Sequence, residues 1–144
     1  MRRRRRRPRG TALLAEDNPV NRKVALLMLD RLGWQVDSAT DGREALARLA
    51  EVDYDVLLLD VQMPEVDGLE VARRVVAQRT DPASRPWMIA VTANAIGGDR
   101  EACLAAGMDD FVSKPIKPAV LAAALARALA QRPPRTTDSA RRAG

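Results

Sequence analysis

Val56-Leu57-Leu58-Leu59-Asp60-Val61-Gln62-Met63-Pro64 sets four consecutive apolar residues against a carboxylate and, four residues further on, a proline. An apolar run of this length without polar alternation reads as a strand buried on both faces. Pro64 and Gly68 then break the pattern, so Asp60 stands at the strand's carboxyl end. Strands of this kind belong to parallel sheets covered by helices, where ligands and chemistry collect beyond the carboxyl ends. Asp60 is therefore placed where a reactive group has a use.

Outward from this run, short apolar segments alternate with helical patterns. Strands are predicted at Ala12–Ala15, Gln35–Ala39, Val56–Leu59, Met88–Val91 and Phe111–Ser113. Asn18 caps a first helix with Pro19 at its first position. Val20, Val24, Leu27 and Met28 line one face of it before Gly33 ends it. Asp41 to Ala50 reads as a second helix, with Ala45, Leu46 and Leu49 inward. Leu69 to Gln78 reads as a third, facing in through Val71, Val75 and Val76. Asp99 to Ala106 is a fourth, ended by Gly107, and Pro118 to Gln131 an alanine-rich fifth. Five βα units with short connections predict an α/β fold, a doubly wound five-stranded parallel sheet with five helices. Five strands suit the flavodoxin-like order 2-1-3-4-5, whose switch point lies between the first and third strands.

The chain of 144 residues has room for one domain with tails. Its charge is unevenly placed. Seven arginines lie within Met1–Gly10, whereas residues 11–132 carry more acids than bases, so the net +5 belongs to the ends. Residues 1–10 read as a disordered arginine-rich arm, with contact to nucleic acid or an anionic surface as the lesser reading. Residues 11–132 read as the folded domain. Pro133 and Pro134 open a disordered tail over 133–144. The apolar stretch after the arginines is stopped by Glu16 and Asp17, which argues against a secretory leader, and no apolar run approaches transmembrane length. A single cysteine, Cys103, excludes an internal disulfide and suits a reducing compartment, so a cytoplasmic location is expected. Histidine is absent, which leaves carboxylates, hydroxyls and lysine to carry any chemistry.

On the expected sheet the carboxyl ends of strands one, three, four and five carry Glu16-Asp17, Asp60, Thr92 and Lys114. Clustered carboxylates raise one another's pKa values unless a cation sits among them. A hard divalent ion answers this, and Mg²⁺ prefers carboxylate and water oxygens while leaving positions for phosphate. Lys114 can pair with Asp60 at rest and with a phosphoryl group afterwards, and Thr92 can donate a hydrogen bond to the same group. An aspartate is a recognised nucleophile for phosphoryl transfer, and Asp60 is the candidate. Each residue alone has a bland explanation: a solvated turn, a strand end, a surface lysine. Four separate segments delivering compatible chemistry to one sheet edge do not.

These residues resemble the receiver domains of two-component response regulators, from about Ala12 to about Leu129. LLAEDNPVN is similar to the family's acidic pair and first helix, LLLDVQMPEVDG to its phosphoacceptor segment, VTAN to its switch threonine, and AAGMDDFVSKPI to its switch aromatic and lysine–proline. The resemblance implies Asp60 as phosphoacceptor, Asp17 as a direct Mg²⁺ ligand and Glu16 as one acting through water. It implies a backbone carbonyl of Gln62 on the metal, Lys114 on the phosphoryl group, and Thr92 and Phe111 as the switch. It further implies a cis peptide at Lys114-Pro115, a histidine kinase or histidine phosphotransfer domain as donor, and no catalysis beyond the domain's own phosphorylation and dephosphorylation. The segments look most like receivers attached to hybrid sensor kinases. With short tails and no kinase segment, the chain is expected to be a single-domain regulator or an excised receiver.

Three rival readings have discriminating features. A phosphatase of the haloacid-dehalogenase type needs a second aspartate two residues after the nucleophile, where Gln62 stands. A flavodoxin needs a phosphate cradle after its first strand, where Glu16-Asp17 repels one. A pseudo-receiver that only binds partners would lack an acid, the lysine or the threonine, and none is missing.

Overall fold

The computed structural model describes residues 9–63, 66–93 and 98–131. Most of the arginine arm, Pro64 and the tail from residue 132 lie outside the described residues. In chain order the elements are β1 (Thr11–Ala15), α1 (Pro19–Arg31), β2 (Gln35–Ala39), α2 (Gly42–Glu51), β3 (Val56–Asp60), α3 (Gly68–Gln78), β4 (Trp87–Thr92), α4 (Asp99–Ala105), β5 (Asp110–Ser113) and α5 (Pro118–Gln131), with a short 3₁₀ turn at Pro82–Ser84 before β4. All strand pairs are parallel, in the order β2-β1-β3-β4-β5. This is the flavodoxin-like arrangement expected. Strands extend one residue beyond the apolar runs, so Asp60 and Thr92 are the last residues of β3 and β4.

Asx residues start three of the helices. The Asn18 side chain accepts the N–H groups of Val20 and Asn21 at 2.9 and 3.0 Å, satisfying donors that the first turn of α1 leaves free. Asp41 accepts from Glu44 N–H and Asp67 from Glu70 N–H in the same way. Gly107, at φ +100°, takes the left-handed conformation that closes α4.

The sheet separates two apolar layers. Leu13, Leu57, Leu59, Met88 and Ala90 point to the side covered by α2, α3 and α4, where they meet Ala45, Leu49, Val71, Val75 and Cys103. Leu14, Val56, Leu58, Ile89 and Val91 point to the other side, against Ala25 and Leu29 of α1 and Leu121, Ala124, Leu125 and Ala128 of α5. All five residues of β3 are buried, as a central strand covered on both faces must be.

The α1 stripe departs from a core-facing role. Val20, Val24 and Leu27 share a face, as the spacing predicts, but they are 68%, 45% and 53% exposed. Ala25 and Leu29 fill the inner face instead. The helix carries two apolar stripes, and the one bearing a small alanine allows the backbone to approach the sheet closely. No helix among the described residues is long and apolar enough to cross a membrane.

Candidate functional site

Glu16 directly follows β1, and Asp17 the residue after it. Glu16 is 3% exposed and Asp17 is exposed. The turn that holds them is tied from both directions. One Glu16 carboxylate oxygen accepts the Asn18 N–H at 3.1 Å, and the Arg22 guanidinium donates to the Glu16 carbonyl at 2.9 Å. Asp60, 2% exposed at the end of β3, accepts the Gln62 N–H on Oδ1 at 3.1 Å. Beneath it α3 begins at Gly68, whose N–H donates to the Val61 carbonyl at 3.0 Å. A Cβ at Gly68 would stand 2.2 Å from the Asp60 carbonyl oxygen, so only glycine allows helix and strand to meet here.

Lys114 enters from the end of β5. Its N–H donates to the Thr92 carbonyl at 2.8 Å, and the following peptide, Lys114-Pro115, is cis. The ammonium lies 3.0 Å from Asp60 Oδ2 and 3.9 Å from Glu16 Oε1. Glu16, Asp17 and Asp60 each present a carboxylate oxygen within 4.8 Å of the other two.

This set is electrostatically incomplete. One ammonium faces three carboxylates, and apart from its ion pair Asp60 Oδ2 is buried with no hydrogen-bond partner among the described residues. Glu16 registers the imbalance. Burial, foremost, pushes its carboxyl up from the ordinary 4.5 to about 7; the Asn18 N–H opposes this, the charge of Asp60 reinforces it, and Lys114 opposes it again. Clustered acids with hard oxygen donors, two of them desolvated, fit a small divalent cation.

Thr92 ends β4, one residue beyond the partner of Asp60 in the neighbouring strand, and is 2% exposed. Its hydroxyl donates to Asp99 Oδ2 at 2.5 Å. Phe111, partly buried on β5, packs against the α2–α3–α4 layer, and the Arg100 guanidinium sits 5.2 Å from its ring centroid. Asp17, Gln62, Met63, Asp67 and Asp99 line one open cleft. Glu16, Asp17, Asp60 and Lys114 thus converge as the strand-end reading predicts, Thr92 ends the adjoining strand at the same end of the sheet with its hydroxyl on Asp99, and Gln62 lines the approach. Arg22, Asp99 and Arg100 were not singled out by sequence reasoning. The only signal for Asp99 was an acid at the start of a helix, which the helix dipole explains equally well.

The profile of the family described as response regulator receiver domain matches residues 12–126. Among solved structures, the chain is similar to the receiver domain of sensor histidine kinase PA1611 from Pseudomonas aeruginosa PAO1, which has a magnesium ion coordinated in its active site cleft. The identity is 42% and the TM-score 0.76, covering 84% of this chain and 98% of that one. It is also similar to chemotaxis protein CheY4 of Vibrio cholerae, at 28% identity and a TM-score of 0.75, covering 83% and 98%. Hybrid signal transduction histidine kinase L of Dictyostelium discoideum is 42% identical over 113 residues. The match spans 75% of this chain but 7% of the length of that protein.

Proposed function

We propose, from the premise that this chain belongs to the response regulator receiver domain family, that it is a Mg²⁺-dependent phosphoacceptor switch carrying its phosphoryl group on Asp60. The observation that carries this reading is the pairing of a buried aspartate, otherwise without a partner on Oδ2 among the described residues, with one lysine and two further acids at a single sheet edge. Such a site is short of positive charge at rest and has a nucleophile facing the shortage.

Asp60 attacks phosphorus through a carboxylate oxygen. A P–O bond forms, the P–N bond of the donor phosphohistidine breaks, and the imidazole leaves with the electron pair and takes up a proton. Asp17, Asp60 and the Gln62 carbonyl would hold Mg²⁺, with Glu16 acting through water, and the ion would supply positive charge to the phosphoryl oxygens. Lys114 moves its ion pair from Asp60 to the phosphoryl group, and Thr92 donates its hydroxyl to it. Thr92 and Phe111 then shift together, biasing the surface formed by α4, β5 and α5 between two states. The domain performs no turnover beyond its own phosphorylation and dephosphorylation.

The donor is a histidine kinase or histidine phosphotransfer domain on another polypeptide segment, since this sequence holds no histidine. The likeness to hybrid kinases supports a donor of that class, and the single cysteine supports a cytoplasmic location. The receiver unit is residues 11–132, flanked by the arginine arm and the tail.

Intact mass after incubation with acetyl phosphate tests the reading. The native chain gains one phosphoryl group with Mg²⁺ and none when the cation is chelated, and Asp60→Asn gains none in either case. An adduct of equal yield on Asp60→Asn refutes the assignment.

A further inference from the structure

Of the cleft's acids that the proposed chemistry does not use, Asp67 is engaged as the cap of α3, which leaves Asp99. Asp99, the first residue of α4, accepts the Thr92 hydroxyl proton in a 2.5 Å hydrogen bond. A hydroxyl has a single proton to donate. While it is committed to Asp99 it is withheld from any oxygen on Asp60, so the two bonds exclude each other. The next residue, Arg100, lies over the ring of Phe111. One helical turn therefore grips both residues assigned to the switch.

We propose that Asp99 is a positioning residue that latches Thr92 in the resting state, so that taking up a phosphoryl group requires the Thr92–Asp99 bond to break. The inference rests on the phosphoacceptor reading and adds to it a resting-state opponent built into α4. Hydrogen bonds to a charged acceptor are among the stronger ones, so the latch sets a threshold against spontaneous activation. Loss of the latch removes the competition and leaves the acceptor chemistry intact.

Asp99 faces the cleft that the phosphoryl group enters, so its removal also relieves simple charge repulsion. A double-mutant cycle separates the two effects. The probe is beryllium trifluoride with Mg²⁺, a tetrahedral mimic of an aspartyl phosphate, and the readout is its dissociation constant by ¹⁹F NMR titration. Asp99→Ala is expected to tighten binding about tenfold in the Thr92 background and to change it less than about twofold in Thr92→Ala. Asp99→Asn serves as a second variant, with a smaller gain through the same cycle, and circular dichroism checks the fold of each.

An equal gain in both backgrounds overturns the latch and assigns the effect to charge. No gain with Thr92 present, while the native chain binds the probe, overturns the latch alone. A native chain that takes up no beryllium trifluoride overturns the phosphoacceptor reading and the latch with it.

Discussion

Replacing Glu16 by glutamine makes the metal-free protein more stable at alkaline pH and leaves it unchanged at acid pH. The folded chain raises the Glu16 carboxyl from 4.5 to about 7, chiefly by burying it. Between those values the folded state holds a proton that the unfolded state has released. Stability therefore falls as pH rises through the window, and the loss is complete above about 7. A shift of this size corresponds to about 3 kcal/mol. Glutamine reproduces the shape of the protonated acid, keeps an oxygen to accept the Asn18 N–H, and does not titrate. Urea unfolding in chelator, followed through Trp34 and Trp87, should show native chain and variant coinciding near pH 4 and separating to about 3 kcal/mol by pH 8. Mg²⁺ should then narrow the gap by neutralising the native carboxylate. Taking the difference between the two chains cancels the titrating groups that do not interact with Glu16. A gap that stays constant with pH, or widens as pH falls, refutes the placement of Glu16 in a desolvated acidic cluster.

Other perturbations have equally definite outcomes. Lys114→Met strands the buried Asp60 carboxylate, so unfolding in chelator should require about 3 kcal/mol less, with part of the loss recovered by Mg²⁺; no loss of the denaturant midpoint would contradict the ion pair. Gly68→Ala drives a methyl group into the Asp60 carbonyl and should cost about 3 kcal/mol by urea denaturation, slowing the gain of phosphoryl mass as the strand end shifts. Leu27→Ser should change stability by about 0.5 kcal/mol or less, whereas Leu29→Ala, one turn-face away, should cost about 3 kcal/mol. Reversal of that order in chemical denaturation would mean that α1 is rotated from the orientation described.

Much of this was legible because chemistry punctuates apolar runs. The β3 leucines end in Asp60, the β1 run in Glu16, the β4 run in Thr92, and in a parallel sheet all such ends lie at one edge. Asn18 and Pro19 announce a helix start for local reasons that tertiary packing leaves intact. The orientation of α1 was not legible, since both of its stripes are apolar and only the distance to the sheet selects between them. Nor was the Thr92–Asp99 bond, which joins a strand end to a helix start seven residues on, a pairing that periodicity does not encode. The source of the Glu16 shift was half legible: crowding of acids was foreseen, but burial outweighs it.

The division of the interior by the sheet bears on how such a unit diversifies. Residues beneath α1 and α5 share one layer and those beneath α2, α3 and α4 another, with the strand backbones as a common wall. Substitutions in opposite layers lack shared side-chain partners, so their effects on stability should combine additively. Each outer surface can then drift toward a new docking preference while the edge chemistry is inherited unchanged. Two independently variable skins around one invariant reaction centre are what a signalling module needs in order to be duplicated and rewired.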